Sequence, residues 1–121
     1  MIRLGNLGGT VMFRDIPILS FKFVDDMLES CQLLSDKYLP FEFADHKIDE
    51  YLIRLFWDSR IVPETRIGLK EDLEDMGLPY YIPECIIRIQ NGRTYGDSFW
   101  LMCDNDNKCW EDINYDKVRM V

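Results

Sequence analysis

The stretch Ile16-Pro17-Ile18-Leu19-Ser20-Phe21-Lys22-Phe23-Val24 decides the fold. Leu19, Phe21 and Phe23 alternate with Ser20 and Lys22, the period of two that places one face of a strand in a core and the other in water. Ahead of it, Thr10–Asp15 reads as a second strand, with Arg14-Asp15 as the tight turn between the two. Behind it the expectation changes to a helix. Asp25 or Asp26 is placed to accept a backbone N–H as a cap, and Met27, Leu28, Cys31 and Leu34 recur at helical spacing up to a stop near Pro40.

The clearest helix lies further on, where Ile48, Tyr51, Leu52, Leu55 and Phe56 stand at i, i+3, i+4, i+7 and i+8 behind Asp45 as N-cap, with Trp57 beside the stripe. Pro63 ends it. With Glu64 in the first turn, a second helix is expected to run from Pro63 to Met76, with Leu69, Leu73 and Met76 inward and Gly77 as its left-handed stop.

Two readings compete over Pro83–Asn91. Ile82, Cys85, Ile86 and Ile89 fit a helix with Pro83 in its first turn, whereas Asn91-Gly92 before Arg93–Tyr95 is a hairpin signal. The helix is the preferred reading. Ser98–Cys103 and Trp110–Tyr115 are expected as closing strands joined by the polar turn Asp104–Lys108. The sum is one α+β domain over residues 10–121, a small antiparallel sheet with three to four helices packed on it. Residues 1–9, with Gly5, Gly8 and Gly9, read as a flexible leader.

The chain's 121 residues suit a single core and leave no room for a TIM barrel or a complete kinase. At 47% hydrophobic and 13% aromatic, it has enough apolar surface to fold without metal or disulfide staples. The 14 Lys and Arg against 22 Asp and Glu give a net charge of −8, which repels phosphate backbones, so no nucleic-acid partner is expected. No apolar run approaches the roughly 20 residues of a membrane span, and no secretory signal follows Met1, so a cytoplasmic location with reduced thiols is expected.

Cofactor and metal sites are not expected. The closest cysteine pair, Cys103 and Cys109, is spaced too widely for the usual zinc pairing, and the single histidine, His46, is far from every cysteine and is read as a solvated first-turn residue. The run Asp104-Asn105-Asp106-Asn107-Lys108 fails as a calcium loop, because Lys108 and Tyr115 occupy ligand positions. Paired carboxylates such as Glu71-Asp72 and Glu74-Asp75 fit a solvated helix face better than acid–base catalysis. Catalytic residues are therefore not assigned.

Five residues are singled out as candidate partner-binding positions: Arg60, Arg66, Asp97, Trp100 and Trp110. Two arginines flank a helix break in Arg60-Ile61-Val62-Pro63-Glu64-Thr65-Arg66, and Gly92 is followed by Asp97-Ser98-Phe99-Trp100 and then Trp110-Glu111-Asp112-Ile113-Asn114. The structural alternative has the arginines capping a helix or bridging to Asp97 and Asp112, with the tryptophans anchoring a core.

In order and spacing, these motifs resemble the N-terminal segment of bacterial HipA-like (CtkA-like) serine/threonine kinases, which carries R-x-x-P-x-x-R, then G-x-x-x-x-D-x-[FY]-W, then W-x-x-I-N. The resemblance spans residues 10–116, with Tyr95-Gly96 standing where Leu-Ser is expected. It implies a protein without the kinase's nucleotide-binding and catalytic elements, acting as an antitoxin-like regulator that binds a separate HipA-like kinase. The alternative is a small acidic inhibitor or adaptor from a mobile element that blocks a basic site on another protein.

Overall fold

The computed structural model describes residues 2–45, 47–94, 96–104 and 108–113. Strands β1 (Gly8–Phe13), β2 (Ile16–Val24) and β3 (Met27–Leu33) form an antiparallel meander. A 3-10 turn (Phe41–Phe43) leads to helices α1 (Glu50–Asp58), α2 (Leu69–Asp75) and α3 (Pro83–Gln90), before β4 (Phe99–Cys103) and a short α4 (Trp110–Ile113). The last strand returns beside the first, giving the order β3-β2-β1-β4. The expected α+β class, with one four-stranded antiparallel sheet and four helices among the described residues, is what the chain forms.

The alternation in β2 is realised in space. Leu19, Phe21 and Phe23 are buried with Val11 and Leu101 beneath Ile53, Phe56 and Trp57 of α1. Their rings interlock, with Phe21 and Trp57 centroids 6.0 Å apart and Phe56 and Phe99 at 6.4 Å. Met12 and Trp100 pair across β1 and β4 on the opposite face, where they meet Ile113 in a second, smaller core. Gly9 allows this pairing: at φ 152°, a Cβ there would lie 2.3 Å from the carbonyl oxygen of Met102.

The segment expected as a helix after Asp26 is a strand instead. Asp25 and Asp26 both hold positive φ, 50° and 65°, the two-residue left-handed turn that matches strand twist, whereas an N-cap needs extended backbone. The turn therefore reverses the chain into β3. The helical spacing of Met27 and Leu34 carries no packing, since both side chains are exposed.

The 1–9 leader is a second correction. Ile2, Leu4 and Leu7 are buried in the main core, because the Leu4 amide donates to Asp26 Oδ1 at 2.7 Å and the Arg54 guanidinium donates to the Ile2 carbonyl at 2.9 Å. Arg54 also bonds the Asp26 carbonyl and lies 5.0 Å over the Phe23 ring. Burial works against the Asp26 carboxylate, but Arg54 and the amides of Leu4 and Gly5 outweigh it and hold its pKa below the ordinary value.

Helix α1 is capped by Asp49, whose carboxylate accepts from the Leu52 amide at 2.8 Å, so the helix starts later than an Asp45 cap implies. Its buried face is Ile53, Phe56 and Trp57, and Tyr51 is exposed. The stripe is rotated toward Trp57 relative to the periodic pattern. Pro63 opens a turn rather than a helix, and α2 begins only at Leu69, with Leu73 buried and Gly77 at φ 74° closing it. The Leu78 amide then reaches the Leu73 carbonyl at 2.8 Å, the six-to-one bond of a Schellman ending.

Helix α3 forms as the preferred reading has it, with Pro83 in its first turn and Asn91 left-handed at its end. The Asn91-Gly92 pair serves a helix terminus here, and the Asn91 carbonyl accepts from the Leu101 amide at 2.8 Å, docking β4 on that end. Trp110–Ile113 is a helical turn and not the expected strand. The Asp112 carboxylate caps it by accepting from the Cys109 amide at 2.8 Å. That amide bond holds the Asp112 pKa down. Residues 105–107 of the expected polar turn, Asn114, Tyr115 and His46 lie outside the described residues.

Candidate functional site

Arg60 and Asp97 meet beside the ends of α1 and α3 and the start of β4, with Trp110 linked to them through Arg93 and Trp100 on the far face of β4. Arg60, just past the end of α1, sends Nη1 to Asp97 Oδ2 at 2.6 Å and Nη2 to Asp97 Oδ1 at 2.9 Å, a bidentate pair. The same guanidinium donates to the carbonyls of Gly92 at 3.1 Å and Phe99 at 2.9 Å and lies 4.9 Å over the Phe56 ring. Its side chain is 6% exposed and that of Asp97 is 33% exposed. Burial opposes the charge on Asp97, but the Arg60 hydrogen bonds and charge, with help from the Phe99 amide and Arg93, hold its pKa below the ordinary range.

Arg93, itself buried, donates to the Asp97 carbonyl at 2.6 Å and lies 4.6 Å over the Trp110 ring. Trp100 is fully buried and donates its indole N–H to the Arg14 carbonyl at 2.6 Å, and the Trp110 amide donates to Asp15 Oδ1 at 2.8 Å. These contacts tie the β1–β2 turn, the loop after α3 and α4 into one node. The Arg60–Asp97 bridge is the one the structural alternative foresaw, while Asp112 serves as a cap. Arg60 and Trp100 are turned inward, away from any partner's reach.

Gly92 sits under this node because Trp57 leaves it no side-chain room. A Cβ there would approach the Trp57 ring at 2.7 and 2.8 Å, and φ is 63°.

Arg66 stands apart. It is 57% exposed, and its Nε lies 3.1 Å from Asp72 Oδ2 at the mouth of an open cleft of about 280 Å³ lined by Val62, Arg66, Asp72, Asp75, Met76 and Gln90. Ile67, the next residue, is 97% exposed. Tyr81 braces the cleft wall from behind, its hydroxyl donating to the Val62 carbonyl at 2.7 Å; burial, then the charges of Glu64 and Asp58, push its pKa up.

A second exposed surface, absent from the sequence reading, lies at the turn end of the β1–β2 hairpin. Tyr38 stacks on Phe13 at 4.4 Å and 8°, and Phe13 is the cross-strand partner of Ile16, so their side chains share the helix-side face. The amides of Leu34 and Ser35 both reach the Ile18 carbonyl, bringing Leu34 to the same end of the sheet. Ile16, Leu34 and Tyr38 are exposed, and Phe41 beyond them is 90% exposed. An apolar residue is taken as core by default when only sequence is read, so nothing in residues 34–41 signalled an outward ring.

Among the described residues no group of three or more His, Cys, Asp and Glu is placed to hold a metal, and no helix is long and apolar enough to cross a membrane. Burial, then the charge of Asp49, pushes the Cys31 thiol pKa up, which lowers its reactivity. No family model matches the chain, and no curated protein or solved structure matches it either.

Proposed function

We propose that this protein is a non-catalytic, antitoxin-like regulator that binds a HipA-like kinase through the Ile16, Leu34, Tyr38 and Phe41 surface. The observation that carries the reading is Phe41, a large ring 90% exposed three residues after Tyr38, which itself stacks on Phe13 and is exposed, on a protein of net charge −8. Large exposed aromatic side chains suit the desolvated centre of a protein interface. Net acidity adds attraction to a basic surface and speeds encounter. The motif resemblance supplies the kinase as the partner, and Arg60, Asp97 and Trp100 act in this reading as the frame of the fold.

The test is calorimetric titration of the protein with a HipA-like kinase from the same genome that lacks its own N-terminal segment. A one-to-one complex is expected, weakened about tenfold or more by Phe41→Ala, as for an interface anchor. That exposed position leaves thermal stability within about 0.5 kcal/mol of wild type. Absence of a complex, or full binding by the Phe41→Ala protein, overturns the reading.

A further inference from the structure

The cleft beside α2 has a different chemistry from the aromatic surface. Val62 and Met76 provide apolar lining, while Asp72 and Asp75, three residues apart and so on one face of the helix, supply carboxylates at its rim. Arg66 Nε takes Asp72 Oδ2, and Asp75 has no ion-pair partner among the described residues. Residues 61–76 carry five carboxylates, Glu64, Glu71, Asp72, Glu74 and Asp75, against Arg66 and Lys70. Within the cleft itself two carboxylates, Asp72 and Asp75, stand against one guanidinium, Arg66, so the lining carries a net negative charge that draws in a cation.

Size narrows the occupant further. At about 280 Å³ the cleft lies just below the 300–1,000 Å³ of drug-sized sites and suits one long side chain. Arginine matches it in shape and charge. Its methylene stem can lie on Val62 and Met76, and its planar fork can meet the open carboxylate of Asp75 together with the remaining oxygen of Asp72. Ile67, 97% exposed and next in sequence to Arg66, offers a contact for an apolar neighbour of that arginine.

We propose that this cleft is a docking site for an arginine side chain presented by an extended basic segment of a partner protein, with Asp75 as the principal recognition group and Ile67 as the apolar contact beside it. The inference shares with the function proposed above the idea of a basic protein partner, but not the identity of that partner. It uses neither Tyr38 nor Phe41.

The probe is a blocked leucine–arginine–leucine peptide titrated into the 15N-labelled full chain and followed by amide chemical shifts. Saturable shifts confined to residues 62–67, 72–76 and 90 are expected. Asp75→Asn should weaken binding about threefold to fivefold, the range for an exposed ion pair, and Ile67→Ser should also weaken it. The citrulline analogue, equal in shape but uncharged, should fail to saturate. Asp75 and Ile67 are both exposed, so their variants keep the fold, and circular dichroism confirms it. Shifts scattered over the acidic surface without saturation, unchanged affinity in Asp75→Asn, or equal binding of the citrulline peptide each overturn the proposal. Because no kinase is present, peptide binding without kinase binding sinks only the kinase reading, and kinase binding without peptide binding sinks only this one.

Discussion

Arg60→Ala tests whether the Arg60–Asp97 node is a structural joint or a recognition surface. The substitution removes a bidentate ion pair and the donors to the Gly92 and Phe99 carbonyls, leaving three acceptors to find water. Breaking a fully buried pair from one side costs about 3–5 kcal/mol. Asp97, one-third exposed, recovers part of its hydration, which brings the estimate down to about 2–3 kcal/mol. The lost stacking over Phe56 restores about 0.5–1 kcal/mol to the cost. The expected loss is about 3 kcal/mol, a fall in Tm of roughly 10 °C for a domain of this size.

Urea unfolding of the wild type, Arg60→Ala, Asp97→Ala and the double variant closes a double-mutant cycle. Because the folded pKa of Asp97 is lowered, its contribution is complete above the ordinary carboxylate value and is lost as pH falls through the folded value. The coupling should therefore be full at pH 7 and shrink steadily in acid below about pH 4. If Arg60→Ala lies within about 0.5 kcal/mol of wild type at pH 7, or the coupling is unchanged after Asp97 is protonated, the structural assignment is wrong.

Other substitutions probe the joints around this node. Gly92→Ala should cost about 2–4 kcal/mol, from its positive φ and from the contact with Trp57, and Trp57→Phe in the same chain should recover the contact part; additive losses in thermal melts would refute the clash. Leu4→Ala should cost about 2–5 kcal/mol in chemical denaturation, as for a core leucine, whereas a detached leader would show no change. Asp26→Ala removes the acceptor for the Leu4 amide and the anchor of Arg54, so exchange of that amide should quicken about tenfold while core amides of β1 hold; equal protection would show that the segment is held by its leucines alone.

The elements that were legible carry their signal within a few neighbouring residues. Strand β2 is announced by its alternation, and α3 by Pro83 at its start and a left-handed residue at its end. Both are local rules that later packing had no reason to override. The failures share a cause. Met27, Cys31 and Leu34 fit a helix by spacing, but the left-handed Asp25-Asp26 turn put the next strand within hydrogen-bonding reach of β2, and sheet pairing won. The stretch Trp110–Tyr115 is expected as a closing strand, but its described part, Trp110–Ile113, is helical. With Asp112 capping the Cys109 amide, it folds as one helical turn, and its Ile113 covers Met12 and Trp100. Of the five candidate positions, Arg60 and Asp97 form an ion pair, Trp110 reaches them through Arg93, Trp100 lies in the smaller core and Arg66 stands apart; spacing along the chain carries no information about which of these side chains turn inward.

The sequence by itself determined the class, α+β on one antiparallel sheet, because periodicity and caps are written into consecutive residues. It also set the acidic balance. The tertiary structure alone decided which side chains were used internally and which were left outside. Burial depends on what the distant chain brings alongside: Asp26 and Arg54 draw Leu4 and Leu7 into the core, β4 and α1 close over Arg60 and Asp97, and nothing among the described residues covers Phe41 or Ile67.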